Sequence, residues 1–211
     1  MKKNPMLVNR IMSGSKSPEK IVIGLMGTHK GVGVTHTGIM IANYLGKWKR
    51  YKTAYLEMSG EDDIKYLWHA YEDGEMSSTK RDFQIYHTTY YKNVREQDLI
   101  KILNEDYKYF IMDFGAEFSK NEIEFLRCDI KLVLGSLAEW KRHFLFQFIQ
   151  NKSFLPGFSQ CKYLIVFGQD KDIRIASREL HVHLDTIGYT PDPFLLDKED
   201  KILLQKIIHS S

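Results

Sequence analysis

The residues whose types and spacing suit chemistry best lie in one stretch, Gly27-Thr28-His29-Lys30-Gly31-Val32-Gly33-Val34-Thr35-His36. Glycines at 27, 31 and 33 free the backbone to turn successive N–H groups toward one point. The stretch follows an apolar run, Ile21 to Met26, and leads into a helical pattern that starts near Thr35. A loop between a strand and a helix N-terminus suits an anion, because its free N–H groups and the positive end of the helix act together. The chemistry expected here is phosphate recognition. Two acids that end apolar segments, Glu57 and Asp113, join it if their strands run parallel to the first, since open α/β sheets bind ligands at strand C-termini.

The positioning elements follow from periodicity. Ile21 to Met26 is a continuous β-favouring run, as expected of a strand buried on both faces. Thr37, Met40, Ile41, Tyr44, Leu45 and Trp48 recur at helical spacing and predict a helix over Thr35 to Arg50. Further strands are expected at Thr53 to Glu57, Phe83 to His87, Tyr107 to Asp113, Ile130 to Gly135 and Tyr163 to Gly168. Helical patterns separate them: Ile64 to Tyr71, Glu96 to Leu103, Asn121 to Arg127, a segment with Trp140, Phe144 and Phe148 on one face, and a closing helix through Ile202 and Ile208. The alternation predicts an α/β, doubly wound, mainly parallel sheet with helices on both faces, of P-loop NTPase type. Residues 1–20, polar and broken by Pro5, Gly14 and Pro18, are expected to be a flexible lead-in, and 21–211 a single domain.

A phosphate-binding loop of nucleoside triphosphatases reads G-x-x-x-x-G-K-[ST]. With Gly33 as its second glycine, Thr28 replaces the first, Val34 replaces the phosphate-binding lysine, and Thr35 keeps the magnesium-binding hydroxyl. The segment Gly27 to His36, with Thr53 to Glu57 and Asp113 downstream, resembles the MinD/ParA family of deviant Walker ATPases, whose loop reads G-K-G-G-x-G-K-T. On that pattern Gly31, Val32, Gly33 and Thr35 match, His29 falls at the signature lysine and Lys30 at a glycine.

The resemblance implies a nucleotide site made by His29, Lys30, Gly31, Val32, Gly33, Val34, Thr35 and His36, with Pro191 in a late loop over the base. It implies ATP or ADP with Mg²⁺, the metal held by Thr35 and, through water, by the Walker B carboxylate Asp113. Glu57 stands where the family has an aspartate near the γ-phosphate, and Lys30 is the loop cation left to act in catalysis. Gly168-Gln169-Asp170 stands where the family often has an adenine-recognising asparagine. The function implied is a switch with weak nucleotide binding or slow hydrolysis that positions a pilus, division, partition or secretion assembly, acting with a protein partner and as a homodimer. Two alternatives stay open: a pseudo-ATPase scaffold emptied by Val34, and an active ATPase that uses Lys30.

The rest of the chain narrows the classes. With 43% hydrophobic and 27% charged residues the composition is that of an ordinary globular protein, and a net charge of +3 is too balanced to argue by itself for nucleic acid. Cys128 and Cys161 form no spaced framework, as expected of reduced thiols in a cytoplasmic protein. No apolar run approaches the length of a signal peptide core or a membrane span, so any membrane contact is peripheral. Lys47, Lys49, Arg50 and Lys52 beside Trp48 suit a helix C-terminus, with a DNA or acidic-lipid contact as the sharper reading. Tyr86, Tyr90 and Tyr91 read as aromatic core or partner contact. His181 and His183 fall on one face of an extended segment without a third zinc ligand. The closing helix lacks a dense basic face and is expected to pack on the sheet.

Overall fold

The computed structural model describes residues 20–71, 81–152, 154–188 and 190–209. The expected lead-in before Lys20 and Tyr189 of the late loop lie outside them. Eight strands form one sheet: β1 (Ile21–Gly27), β2 (Thr53–Glu57), β3 (Asp82–Ile85), β4 (Thr88–Tyr91), β5 (Tyr109–Asp113), β6 (Ile130–Ser136), β7 (Cys161–Phe167) and β8 (Leu184–Thr186). Their order is β3-β4-β2-β5-β1-β6-β7-β8, parallel throughout except for the β3–β4 hairpin. Among the described residues there are seven α-helices: α1 (Val34–Asn43), α2 (Lys65–Tyr71), α3 (Glu96–Asn104), α4 (Phe118–Leu126), α5 (Arg142–Lys152), α6 (Asp170–Leu180) and α7 (Lys198–His209). This is the doubly wound α/β architecture that the alternating pattern predicts.

Alternation along each strand builds two cores. Ile23, Leu25, Tyr55, Ile111, Leu132 and Leu164 face α1, α2 and α7. Val22, Met26, Leu56, Phe110, Met112 and Ile165 face α3 to α6 on the other side. Successive side chains in a strand point to opposite faces, so strands covered on both sides must be apolar at every position. Each fully buried leucine or isoleucine contributes about 1.5–3 kcal/mol, which explains why the central strands are unbroken apolar runs. The closing helix packs as expected: Leu204, Ile207 and Ile208 are buried in the first core, and Lys162 Nζ donates to Ile207 O at 2.8 Å.

Helix α6 is not among the expected elements, and four further segments differ from expectation. The first long helix ends at Asn43 and continues as a π-helical turn, Tyr44–Trp48, with Lys49 N–H donating to Tyr44 O at 3.0 Å. Thr88 Oγ1 donates to Ala42 O at 3.1 Å, a carbonyl that a regular helix would give to the N–H of Gly46. The expected single strand Phe83 to His87 is a hairpin, because Tyr86 at φ 54° turns the chain without the glycine or asparagine that usually marks such a turn. On α5 the buried face is Leu145 and Ile149, whereas Trp140 precedes the helix and is 74% exposed. Of the aromatic stripe, Phe148 packs at the margin of the second core against Phe158, and Phe144 is half-buried. His181 caps α6 at φ 54° and His183 lies before β8, so the two imidazoles share no strand face, and no group of three metal-binding side chains occurs among the described residues.

The π-turn brings Gly46 so close to β4 that a Cβ there would overlap Thr88 Oγ1. Gly46→Ala is expected to destabilise the fold by about 1–3 kcal/mol through overpacking. A drop in the urea midpoint with an unchanged slope would register this, and an unaltered midpoint would show that the turn relaxes freely.

Candidate functional site

The loop grows out of the centre of the sheet. Its base is fixed on both sides, where Gly27 N–H donates to Gly115 O at 2.8 Å and Thr28 N–H to Leu134 O at 2.9 Å. Gly31 and Gly33 have φ of 80° and 99°, values that strain any residue with a Cβ. Among the described residues, the N–H groups of Gly31, Val32 and Gly33 have no hydrogen-bond acceptor. Free N–H groups at the start of α1 are the donors expected of an anion site. Thr28 Oγ1 and His29 Nε2 are also buried without a hydrogen-bond partner among the described residues.

Val34 fills the lysine position with packing. It is 7% exposed, and a Cβ added to Gly27 would meet Val32 Cγ1 at 2.7 Å and Val34 Cγ2 at 2.8 Å. The two valines therefore close over the end of β1. Lys30 turns outward, its Nζ 2.7 Å from Glu61 Oε2 on an exposed surface, and the Glu61 hydrogen bond and charge raise its pKa. His29 lays its ring against Phe144 of α5, with centroids 5.3 Å apart, and Nδ1–H donates to Lys30 O at 2.9 Å. A carbonyl can only accept, which places the proton on Nδ1. His36 stands half-buried in the first turn of α1.

Asp113 ends β5 beside the loop. Its Oδ2 accepts hydrogen bonds from Thr35 Oγ1 and from the Tyr55 hydroxyl, each 2.7 Å, and its Oδ1 accepts from Gly115 N–H at 2.9 Å. Burial pushes the carboxyl pKa up, and these three donors oppose the shift. Tyr55 is fully buried on β2, its own pKa driven upward by burial and by the neighbouring carboxylate. Its ring sits over Gly38 of α1, where a Cβ would lie 2.9 Å from Cε2. The sequence reading passed over Tyr55, although a tyrosine in a buried strand needs a partner for its hydroxyl.

Glu57 is brought to the same edge, in register with Asp113. It is fully buried, and its carboxylate accepts backbone N–H groups of Asp63 at 2.6 Å, Ile64 at 3.4 Å and Asn93 at 3.1 Å. Burial raises its pKa against the pull of those bonds. In this arrangement the carboxylate ties the β2–α2 loop to the turn after β4. Pro191 lies in a different neighbourhood: Thr190 donates to Asp200 and Asn43 Nδ2 donates to Pro193 O at 3.1 Å, at the far end of α1 from the loop.

No protein-family model matches the chain, and no curated protein matches it. Solved structures do. MinD in the MinC:MinD cell division complex of Aquifex aeolicus aligns at a TM-score of 0.67 and 14% identity over 90% of this chain and 97% of that one. A plasmid partition protein of Borrelia burgdorferi bound to AMPPNP aligns at 0.64 and 16% identity, over 90% and 97%. The septum site-determining protein MinD of Pyrococcus horikoshii, complexed with Mg-ADP, aligns at 0.57 and 13% identity, over 88% and 86%. The chain has the α/β fold of these MinD/ParA-type P-loop ATPase structures.

Tyr55→Phe removes one donor from a buried carboxylate and is expected to cost about 1–3 kcal/mol of stability, read as a lower urea midpoint. The pH dependence has a definite sign. The folded-state pKa of Asp113 is raised, so its contribution to stability is full at acid pH and is lost as pH rises through the raised value. Urea midpoints from about pH 4 to pH 7 should show wild type losing ground to Asp113→Asn as pH increases; a gain would contradict the assignment.

Proposed function

We propose that the chain is a nucleotide-dependent switch of the MinD/ParA kind that binds ATP or ADP weakly or hydrolyses ATP slowly, and positions or regulates a larger assembly. One observation carries the reading: the free N–H groups of Gly31, Val32 and Gly33 stand beside a Thr35–Asp113 hydrogen bond of 2.7 Å. The donors suit phosphate oxygens, and the orphaned Thr28 hydroxyl adds one more. Thr35 donates its hydrogen to Asp113 and so keeps oxygen lone pairs for a hard cation, which is the donor chemistry that suits Mg²⁺. Bound Mg²⁺ would neutralise charge on the phosphates. Glu57 supports the site by holding the adjoining loop through backbone bonds.

What the site lacks is the cation of the lysine position. A charged donor aimed at developing charge contributes about 3 kcal/mol, near two orders of magnitude in rate, so slow turnover follows from Val34. The alternative of an active ATPase using Lys30 is disfavoured within one copy of the chain, because Glu61 holds that ammonium at 2.7 Å. The pseudo-ATPase scaffold draws support from the packing of Val34 against Gly27. The MinC:MinD complex among the structural neighbours supports a protein partner for the assembly role. A homodimer and a cytoplasmic location belong to the same proposal; no helix among the described residues is long and apolar enough to cross a membrane.

Isothermal titration with ATP and ADP, with and without Mg²⁺, tests the switch. Weak, saturable, Mg²⁺-dependent binding is expected. Val34→Lys should tighten it about tenfold or more, and Thr35→Ala should remove the Mg²⁺ dependence. No binding at millimolar nucleotide by a folded wild-type protein would leave the scaffold reading in its place.

A further inference from the structure

At the N-terminal edge of the sheet, opposite the loop, lysines are held by aromatic rings. Lys201 Nζ lies 3.4 Å from the centroid of Trp48, and Lys47 Nζ lies 4.7 Å from Tyr86 and 5.8 Å from Trp48. Lys49 Nζ is 5.5 Å from Tyr44, and Lys108 Nζ is 4.0 Å from Tyr51. Among the described residues none of these lysines, nor Arg50, has a carboxylate partner. Elsewhere pairing is common, as in Lys30–Glu61, Lys65–Asp62 and Lys206–Asp185. The neighbouring acids are engaged: Asp106 pairs with Lys52 at 2.9 Å, and Asp200 accepts from Thr190 and from Asp197 N–H.

A ring face attracts an ammonium without satisfying its N–H donors as oxygen acceptors do. The lysines are thus held in place, side-chain entropy already reduced, while their donors still want oxygen partners. That combination fits an array of anionic groups. Its chemistry separates the candidates. The occupied ring faces leave little platform for stacking a nucleobase. The apolar side of α7 is spent on the core through Leu204, Ile207 and Ile208, which removes the apolar helix face that enters a lipid interface. Trp48 and Tyr86 remain 48% and 49% exposed beside the cations. Half-exposed tryptophan and tyrosine suit the anchor positions of a protein–protein contact, with the lysines around them as its polar rim.

We propose that Lys47, Trp48, Lys49, Arg50, Tyr86 and Lys201 form a docking surface for an acidic polypeptide segment of a partner protein. Carboxylates meet the ammonium and guanidinium groups, and an apolar side chain of the segment lies against the parts of Trp48 and Tyr86 that the lysines leave exposed. The surface deepens the partner half of the switch reading, and α1 with its π-turn runs continuously from Thr35 in the loop to Trp48 in the surface. Docking itself does not need nucleotide, so nucleotide titration of the same variants reports on the switch separately.

The test is fluorescence anisotropy of the full chain with four labelled probes: a random glutamate–tyrosine copolymer, polyglutamate, duplex DNA, and phosphatidylglycerol vesicles. The copolymer is expected to bind, and to weaken about tenfold between roughly 0.05 and 0.3 M salt. Lys47→Glu with Lys49→Glu should lower its affinity about tenfold or more, whereas Lys171→Glu on the exposed side of α6 should leave it unchanged. Trp48→Ala should weaken the copolymer more than polyglutamate. Thermal melts establish that each variant is folded, with Lys→Gln replacing any charge reversal that is not. DNA or vesicles binding more tightly than the copolymer, with loss in the same variants, would assign the surface to phosphates and overturn the proposal. So would a double variant that binds every probe as wild type does.

Discussion

A single buried carboxylate joins the parts on which everything else in this protein depends. Asp113 receives the Thr35 hydroxyl from the start of α1, the Tyr55 hydroxyl from β2 and the Gly115 N–H from its own turn. Buried charge is tolerated only where donors surround it. Here the donors come from three separate elements, so satisfying the charge fixes the loop, the helix it begins and the neighbouring strand relative to one another. The next bond out, Gly27 N–H to Gly115 O, carries that constraint into the loop base. The N–H groups of Gly31, Val32 and Gly33 are meanwhile left without acceptors among the described residues.

Around that centre the sheet is a two-sided apolar wall. Its inner strands exist because alternate residues feed two cores, and its edges are where polar chemistry gathers. The C-terminal edge has the loop, Asp113, Glu57 and the Lys30–Glu61 pair. The N-terminal edge has lysines seated on rings, reached from the loop through α1 and the π-turn. The widened turn is set by Thr88, whose hydroxyl takes the Ala42 carbonyl and whose proximity excludes any side chain at Gly46. Helix, hairpin and basic surface are therefore one packed unit.

The loop itself separates features set by chain path from features set by side-chain charge. Its anion-facing features are backbone N–H groups and glycines at positive φ, which depend on chain path more than on charge. Val34 adds no charge to the loop; it adds buried surface that closes on Gly27. The backbone path and its donors are thus independent of the residue at position 34, and the fold is shared with solved structures at identities of only 13 to 16%.

The sequence by itself determined the central apolar strands, the strand–loop–helix order around Gly27 to Thr35, and the two acids at strand ends. Periodicity reports burial and glycine spacing reports backbone freedom, and both are local properties. Only the tertiary structure decided which partners the polar groups meet. Lys30 answers to Glu61, thirty-one residues on; Tyr55 answers to Asp113; and Glu57 is spent on the N–H groups of Asp63, Ile64 and Asn93. The same reason explains the β3–β4 hairpin, turned at Tyr86, and the phase of α5, where Leu145 and Ile149 face the core and Phe144 is left for His29. Strand register and helix docking set these pairings across long sequence separations, where spacing along the chain contains no record of them.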